Sequence, residues 1–239
     1  MDWENIAVAV ACRVQYEKSC GRGRLISEDV TRLALAEVVQ SHAKGNVEAE
    51  FNHPDIPGNS RVDLLVRSPQ AQNIEVAIEH KWVRATTLNT TRHWMPEIVA
   101  DMLRLERLNQ QIAQGCERAL VVVGEVEEMK SKVWDREVRQ GNGQNRLRVV
   151  DSIIQGRPAS GSAQLAPLAV NFRQNCSTFR KLVKQAAPEL YSDLPSAYQV
   201  QLVAHHRTKN DGVECAVWRI TRGQRQRVMF DANIVWPPV

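Results

Sequence analysis

At 239 residues, with 43% hydrophobic and 24% charged side chains, the chain has the length and composition of a globular protein that buries a substantial core, which excludes a disordered or fibrous class. Its net charge of +4 is mild: it permits a polyanionic partner without demonstrating one. Five scattered cysteines (Cys12, Cys20, Cys116, Cys176, Cys215) contain no CxxC pair, which argues against a zinc site or a disulfide framework. No stretch is apolar enough to span a bilayer and the start lacks a basic signal region, so the expectation is a cytoplasmic chain with free thiols and no membrane contact.

In chain order, Trp3, Ile6, Ala7, Val10 and Val14 fall at helical spacing and predict a first helix over residues 3–17, ended by the Gly-rich stretch from Cys20 to Arg24. Ser27 is a good N-cap, with Glu28 and Asp29 in the first turn, for a second helix running to about His42. Three short strands follow over 47–51, 61–66 and 74–82. Pro96 suits the first position of a long helix with the stripe Ile98, Val99, Met102, Leu105, Leu108 and Ile112; Gly115 closes it. Residues 118–123 then read as a buried parallel strand. Helix, three strands, helix and strand describe an α/β fold: a mixed sheet flanked by helices. Beyond 125 the pattern weakens. A charged helix over 127–139, loops at 141–143 and 157–167, a helix over 172–187, and strands near 198–204, 214–221 and 227–230 are expected, adding β structure at the C-terminus.

Chemistry concentrates on the third strand. Alternation puts Glu79 and Lys81 on one face, and a hairpin pairing can bring Asp63 of the preceding strand beside Glu79. Two adjacent carboxylates repel unless a cation neutralises them, and Mg2+ or Mn2+ suits such oxygen donors. A lysine beside them can orient or deprotonate a water and stabilise a pentavalent phosphorane. Glu37 falls on the expected buried stripe of the second helix (Val30, Leu33, Ala34, Val38), where a carboxylate needs a partner.

This arrangement, with Glu37 on a helix, Asp63 on a strand and Glu79-His80-Lys81 on the next, resembles the PD-(D/E)XK nuclease superfamily over residues 27–125. The resemblance implies a restriction-endonuclease-like core in residues 1–125. It implies divalent metal held by Asp63, Glu79, Glu37 and the His80 backbone carbonyl, and Lys81 assisting water attack. The substrate would be nucleic acid, DNA by analogy, in a restriction, defence, repair or mobile-element setting. Residues 126–239 would form an extension packed on the same domain and carrying specificity, with room for a homodimer or a separate partner protein. One departure is Val62, where the family carries Pro. A literal Pro54-Asp55 lies in a turn-rich loop, where Asp55 is expected to shape the turn.

Other residues carry weaker readings. Asp101 and Arg104 pair with each other or position the site, and His80 is read as a surface histidine beside it. His205-His206 lacks a third ligand at sensible spacing. Arg222, Arg225 and Arg227 are candidates for phosphate contact, and Trp218 and Trp236 for base stacking against a default of core packing. The alternative function is a non-catalytic nucleic-acid-binding or assembly module with the same fold. A plain enzyme on a small phosphorylated substrate is disfavoured by the lack of a Gly-rich phosphate loop.

Overall fold

The computed structural model describes residues 1–56, 60–69, 73–84, 94–108, 115–135, 137–140, 145–148, 168–171, 194–195, 197–209, 212–222 and 227–228. No helix among the described residues is long and apolar enough to cross a membrane.

The helices are α1 (Trp3–Glu17), α2 (Glu28–His42), α3 (Trp94–Arg107) and the short α4 (Val126–Met129), which continues as a wider turn over Lys130–Trp134. The strands are β1 (Asn46–Asn52), β2 (Arg61–Arg67), β3 (Ile74–Val83), β4 (Glu117–Glu125), β5 (Glu137–Gln140), β6 (Asn145–Arg148), β7 (Leu168–Asn171), β8 (Leu194–Pro195), β9 (Ala197–Arg207), β10 (Val213–Arg222) and β11 (Arg227–Val228). Ser27 caps α2 as expected, its Oγ accepting the Val30 N–H at 3.3 Å, and Asp2, which the sequence reading did not single out, accepts the Asn5 N–H at 3.1 Å to start α1. Helix α3 begins two residues earlier than Pro96 suggests, so Pro96 still lies in the first turn, where its missing N–H costs nothing.

Seven strands form one mixed sheet in the order β1-β2-β3-β4-β10-β9-β7. Its parallel pair is β3 with β4, bridged by the α3 crossover; the other pairs are antiparallel. The fold is thus α/β, with a mixed sheet flanked by helices, and the C-terminal strands β9 and β10 extend the sheet begun by β1–β4 across β4. Strands β5, β6, β7 and β8 answer to no strand expected from the sequence: β5 starts where the charged helix expected over 127–139 was to end, and it pairs with β6. The expected 172–187 helix lies outside the described residues.

Strand alternation splits the core in two. On one face, α1 and α2 cover Leu64, Val66, Val76, Ile78, Val121, Val123 and Val217. On the other, α3 and α4 cover Leu65, Ala77, Leu120, Val122, Ala216 and Trp218. Helix α2 meets the core through Thr31, Ala34, Leu35 and Val39; of the expected stripe Ala34 is buried and Val38 partly so, while Val30 and Leu33 are left 41% and 62% exposed.

Candidate active site

The β2–β3 ladder reaches Leu64 opposite Ile78, and the next position along each strand carries Asp63 and Glu79. There the Asp63 carboxylate replaces a main-chain partner: its Oδ2 accepts the His80 N–H at 2.8 Å and its Oδ1 accepts from Arg32 Nη1 at 3.1 Å. Arg32, from α2, also pairs with Glu50 at 2.7 Å, a residue of β1 held at φ +52°, in the left-handed region that costs a non-glycine residue free energy. Glu79 and Lys81 project toward α3, and the Lys81 ammonium is clasped by Glu28 Oε1 at 3.1 Å and Asp101 Oδ2 at 3.2 Å. Asp101 is ion-paired with Arg104 one turn along α3. The structure therefore brings together three of the residues expected from the sequence, Asp63, Glu79 and Lys81, and surrounds them with Arg32, Glu28, Asp101 and Arg104.

Burial sets the electrostatics. Glu79 is 3% exposed, and desolvation, with Asp101 and Asp63 adding repulsion, raises its carboxyl well above the usual range against the opposing pull of Arg104 and Lys81. In its protonated form it donates to Asp63. One of its oxygens, Oε1, is buried without a hydrogen-bond partner, a costly state for a carboxyl. Burial works against ionisation of Asp63 too, but the His80 N–H, the Lys81 ammonium and the Glu79 bond outweigh it and hold Asp63 below the usual value. Burial disfavours the charged Lys81 as well; Asp101, Glu28, Asp63 and Glu79 overcome it and raise its pKa, so this lysine is a firmly held ammonium. Burial raises Asp101, with Lys81 and Arg104 opposing.

Several expectations need correction. Glu37 is not part of the group: it is exposed and lines a groove with Arg13, Val14, Val30 and Leu33, because α2 is rotated away from the stripe on which Glu37 would be buried. His80 is not a surface residue. Its ring is completely buried on the α1/α2 side of the sheet, with neither ring nitrogen hydrogen-bonded, and burial pushes its pKa down to about 3 against the pull of Asp63. The engaged part of its backbone is the N–H to Asp63; nothing places its carbonyl as a ligand. Arg222 is tucked in beside Glu106 at 3.6 Å with its side chain 7% exposed, which removes it as an open phosphate contact. Arg225 and Trp236 lie outside the described residues, as does the side chain of Arg227. Trp218 is core, fully buried. Asp55 sits in a turn where its N–H is bonded to His53 Nδ1. Asp101 and Arg104 pair with each other, as read from the sequence, and Asp101 also holds the Lys81 ammonium at 3.2 Å. His205 is fixed by Glu214 at 2.7 Å, itself held by the Trp134 indole N–H at 2.6 Å.

Glu28 and Arg32 are the contributions that sequence reasoning missed. Both fit ordinary helix roles, a dipole-complementing acid and a surface basic residue, and their one shared signal is the one-turn spacing that puts them on the same side of α2.

As possible metal donors, Asp63 and Glu79 offer hard carboxylate oxygens, and the unpartnered Glu79 Oε1 is the kind of group a cation satisfies. Among the described residues no group of three or more acidic, histidine or cysteine side chains is spaced to hold an ion as it stands. A Mg2+ ion bound through one or two carboxylates and several waters asks for less than that, so the donor set fits Mg2+ or Mn2+ better than zinc. Compared with known families, curated proteins and solved structures, the chain matches none.

Proposed function

We propose that this protein is a divalent-metal-dependent nuclease with the restriction-endonuclease-like arrangement, hydrolysing phosphodiester bonds in nucleic acid, DNA first among them. The observation that carries the reading is the convergence of Asp63, Glu79 and Lys81 from adjacent strands, with a buried Glu79 carboxyl oxygen that no protein group satisfies. Asp63 and Glu79 would hold Mg2+ or Mn2+, which supplies Lewis-acid activation of water and charge stabilisation at phosphorus. Asp63 is kept ionised and in place by Arg32 and the His80 N–H. Lys81 is presented as a cation, so its contribution is to attract the phosphate and stabilise negative charge developing on its oxygens rather than to remove a proton. Glu28 and Asp101 fix its ammonium, and Arg104 keeps Asp101 turned toward it.

A second reading, a non-catalytic nucleic-acid-binding or assembly module, is favoured by the way the cluster closes on itself. With Glu79 protonated, the charges of Asp63, Asp101 and Glu28 are matched by Lys81, Arg32 and Arg104.

The test is cleavage of plasmid, linear and single-stranded DNA and of RNA, in Mg2+, Mn2+ or EDTA, by the native protein and by Asp63→Asn and Lys81→Ala variants. Metal-dependent cutting that falls by roughly 100-fold or more in each variant supports the nuclease, since removal of one charge-stabilising group costs about that much. Undiminished cutting by either variant would remove the trio from the chemistry. No cutting by the folded native protein, with equal DNA binding by all three proteins, would move the assignment to the binding module.

A further inference from the structure

The outer face of α2 and the turn before it carry a cluster of apolar side chains that the fold leaves in solvent. Leu25 is 71% exposed, Leu33 62% and Val30 41%, and between them and α1 runs a groove of about 70 Å3 floored by Val14, Ile26 and Ala34. Val30, Leu33 and Glu37 follow one another at three- and four-residue spacing, so they share one stripe of the helix. Charges sit at both ends of this surface. Arg24 and Glu37 are each exposed and make no hydrogen bond or ion pair among the described residues, whereas Arg13, Glu17, Arg22, Asp29 and Arg32 around them are all paired. A basic residue in the turn before α2, an apolar middle and an acidic end on α2 form a self-complementary pattern. Laid antiparallel on a copy of itself across a two-fold axis, such a face meets opposite charge at both ends, as an isologous contact requires.

We infer that this face binds a second copy of the chain, α2 against α2 in antiparallel orientation. Val30 of one copy packs against Leu33 of the other, and Glu37 of each reaches toward Arg24 and Leu25 of its mate. Roughly 10 Å separates Val30 from Glu37 along the axis at 1.5 Å per residue, so one helix length holds both the apolar centre and the acidic end. A contact built on one helix pair is small, and the association is accordingly weak and concentration-dependent. The inference stands apart from the nuclease reading, because none of these residues belongs to the acid and lysine group.

Sedimentation velocity of the whole chain over about 1–200 μM, the range where so small an interface is expected to act, reads the result directly. The native protein is expected to shift from one to two chains with rising concentration, and Leu33→Asp to remain a single chain with an unchanged melting temperature, since Leu33 is an exposed side chain. Arg24→Glu and Glu37→Arg should each weaken association about 5-fold or more, and the double charge exchange should restore most of it, as charge pairs across an interface do. A native protein that stays a single chain throughout overturns the inference and leaves the face to a different protein. A dimer untouched by Leu33→Asp, or single exchanges that the double fails to rescue, overturns it as well.

Discussion

At the scale of single residues, the acid and lysine cluster is a balance of burial against charge. Glu79 carries its penalty in the ionised form, because its folded pKa is raised: it favours folding at low pH, and that contribution is lost as pH rises past the value of a free glutamate. Glu79→Gln keeps the shape and a donor toward Asp63 while removing the titration. It is expected to melt about 2–5 °C higher than the native protein at pH 8 in EDTA, and to cut no nucleic acid; a lower melting temperature would show that the ionised carboxylate is better accommodated than its burial implies. His80 has the opposite sign. Its folded pKa of about 3 lies below the ordinary 6.5, so its contribution is complete above pH 6.5 and declines as the unfolded chain takes up protons below it. By pH 5, before most carboxylates titrate, the loss is about 2 kcal/mol. A His80→Leu variant should flatten the fall in denaturation midpoint between pH 6.5 and 5, and equal slopes in the two proteins would refute a buried neutral imidazole.

At the scale of elements, close approach of β3, β4 and α4 sets what each can carry. A Cβ on Gly124 would lie 2.7 Å from the Val83 carbonyl oxygen and 2.8 Å from the Met129 side chain, distances that force backbone movement. Gly124→Ala is expected to cost about 1–3 kcal/mol, the usual range for overpacking, read as a lower urea midpoint at unchanged slope. An unchanged midpoint would mean that α4 yields without cost. Helix α2 is the element that sequence alone left undecided. Its apolar residues nearly encircle it, so Val30, Leu33 and Val38 compete with Thr31, Leu35 and Val39 for the inward face, and the 3.6-residue period is satisfied by either stripe. Docking on β1 and β3 selects the second stripe, which turns Glu37 outward and Arg32 toward Asp63.

At the scale of the molecule, β10 is inserted between β4 and β9, so the edge strand of the first half, β4, is completed from a segment almost a hundred residues later. Both core clusters draw on β9 and β10: Leu202, Ala216 and Trp218 on one face, Val203, Cys215 and Val217 on the other. A fragment of residues 1–125 would expose the β4 edge and both faces of the sheet, and is expected to show no cooperative melt. In the whole chain, amides of β3, β4 and β10 should exchange slowest with solvent. A fragment that melts cooperatively would show that the N-terminal region folds independently, and that the later strands are an addition to it.

What could be read from the chain was local. Helix α1 shows its apolar period and α2 its Ser27 cap, while β2, β3 and β4 are short apolar runs. Asp63, Glu79 and Lys81 are legible because a strand alternates strictly, so one hairpin register puts two carboxylates side by side. The environment of those groups was not legible. Arg32, Glu28 and Asp101 reach them from helices 31, 53 and 20 positions away along the chain, from Asp63 in the first case and Lys81 in the others. No local pattern records such distances, because they are set when two helices dock on opposite faces of a sheet. The burial of His80 and Arg222, the outward turn of Glu37 and the insertion of β10 have the same origin. Each depends on which surfaces meet, and many sequences with the same local periods would bring different surfaces together.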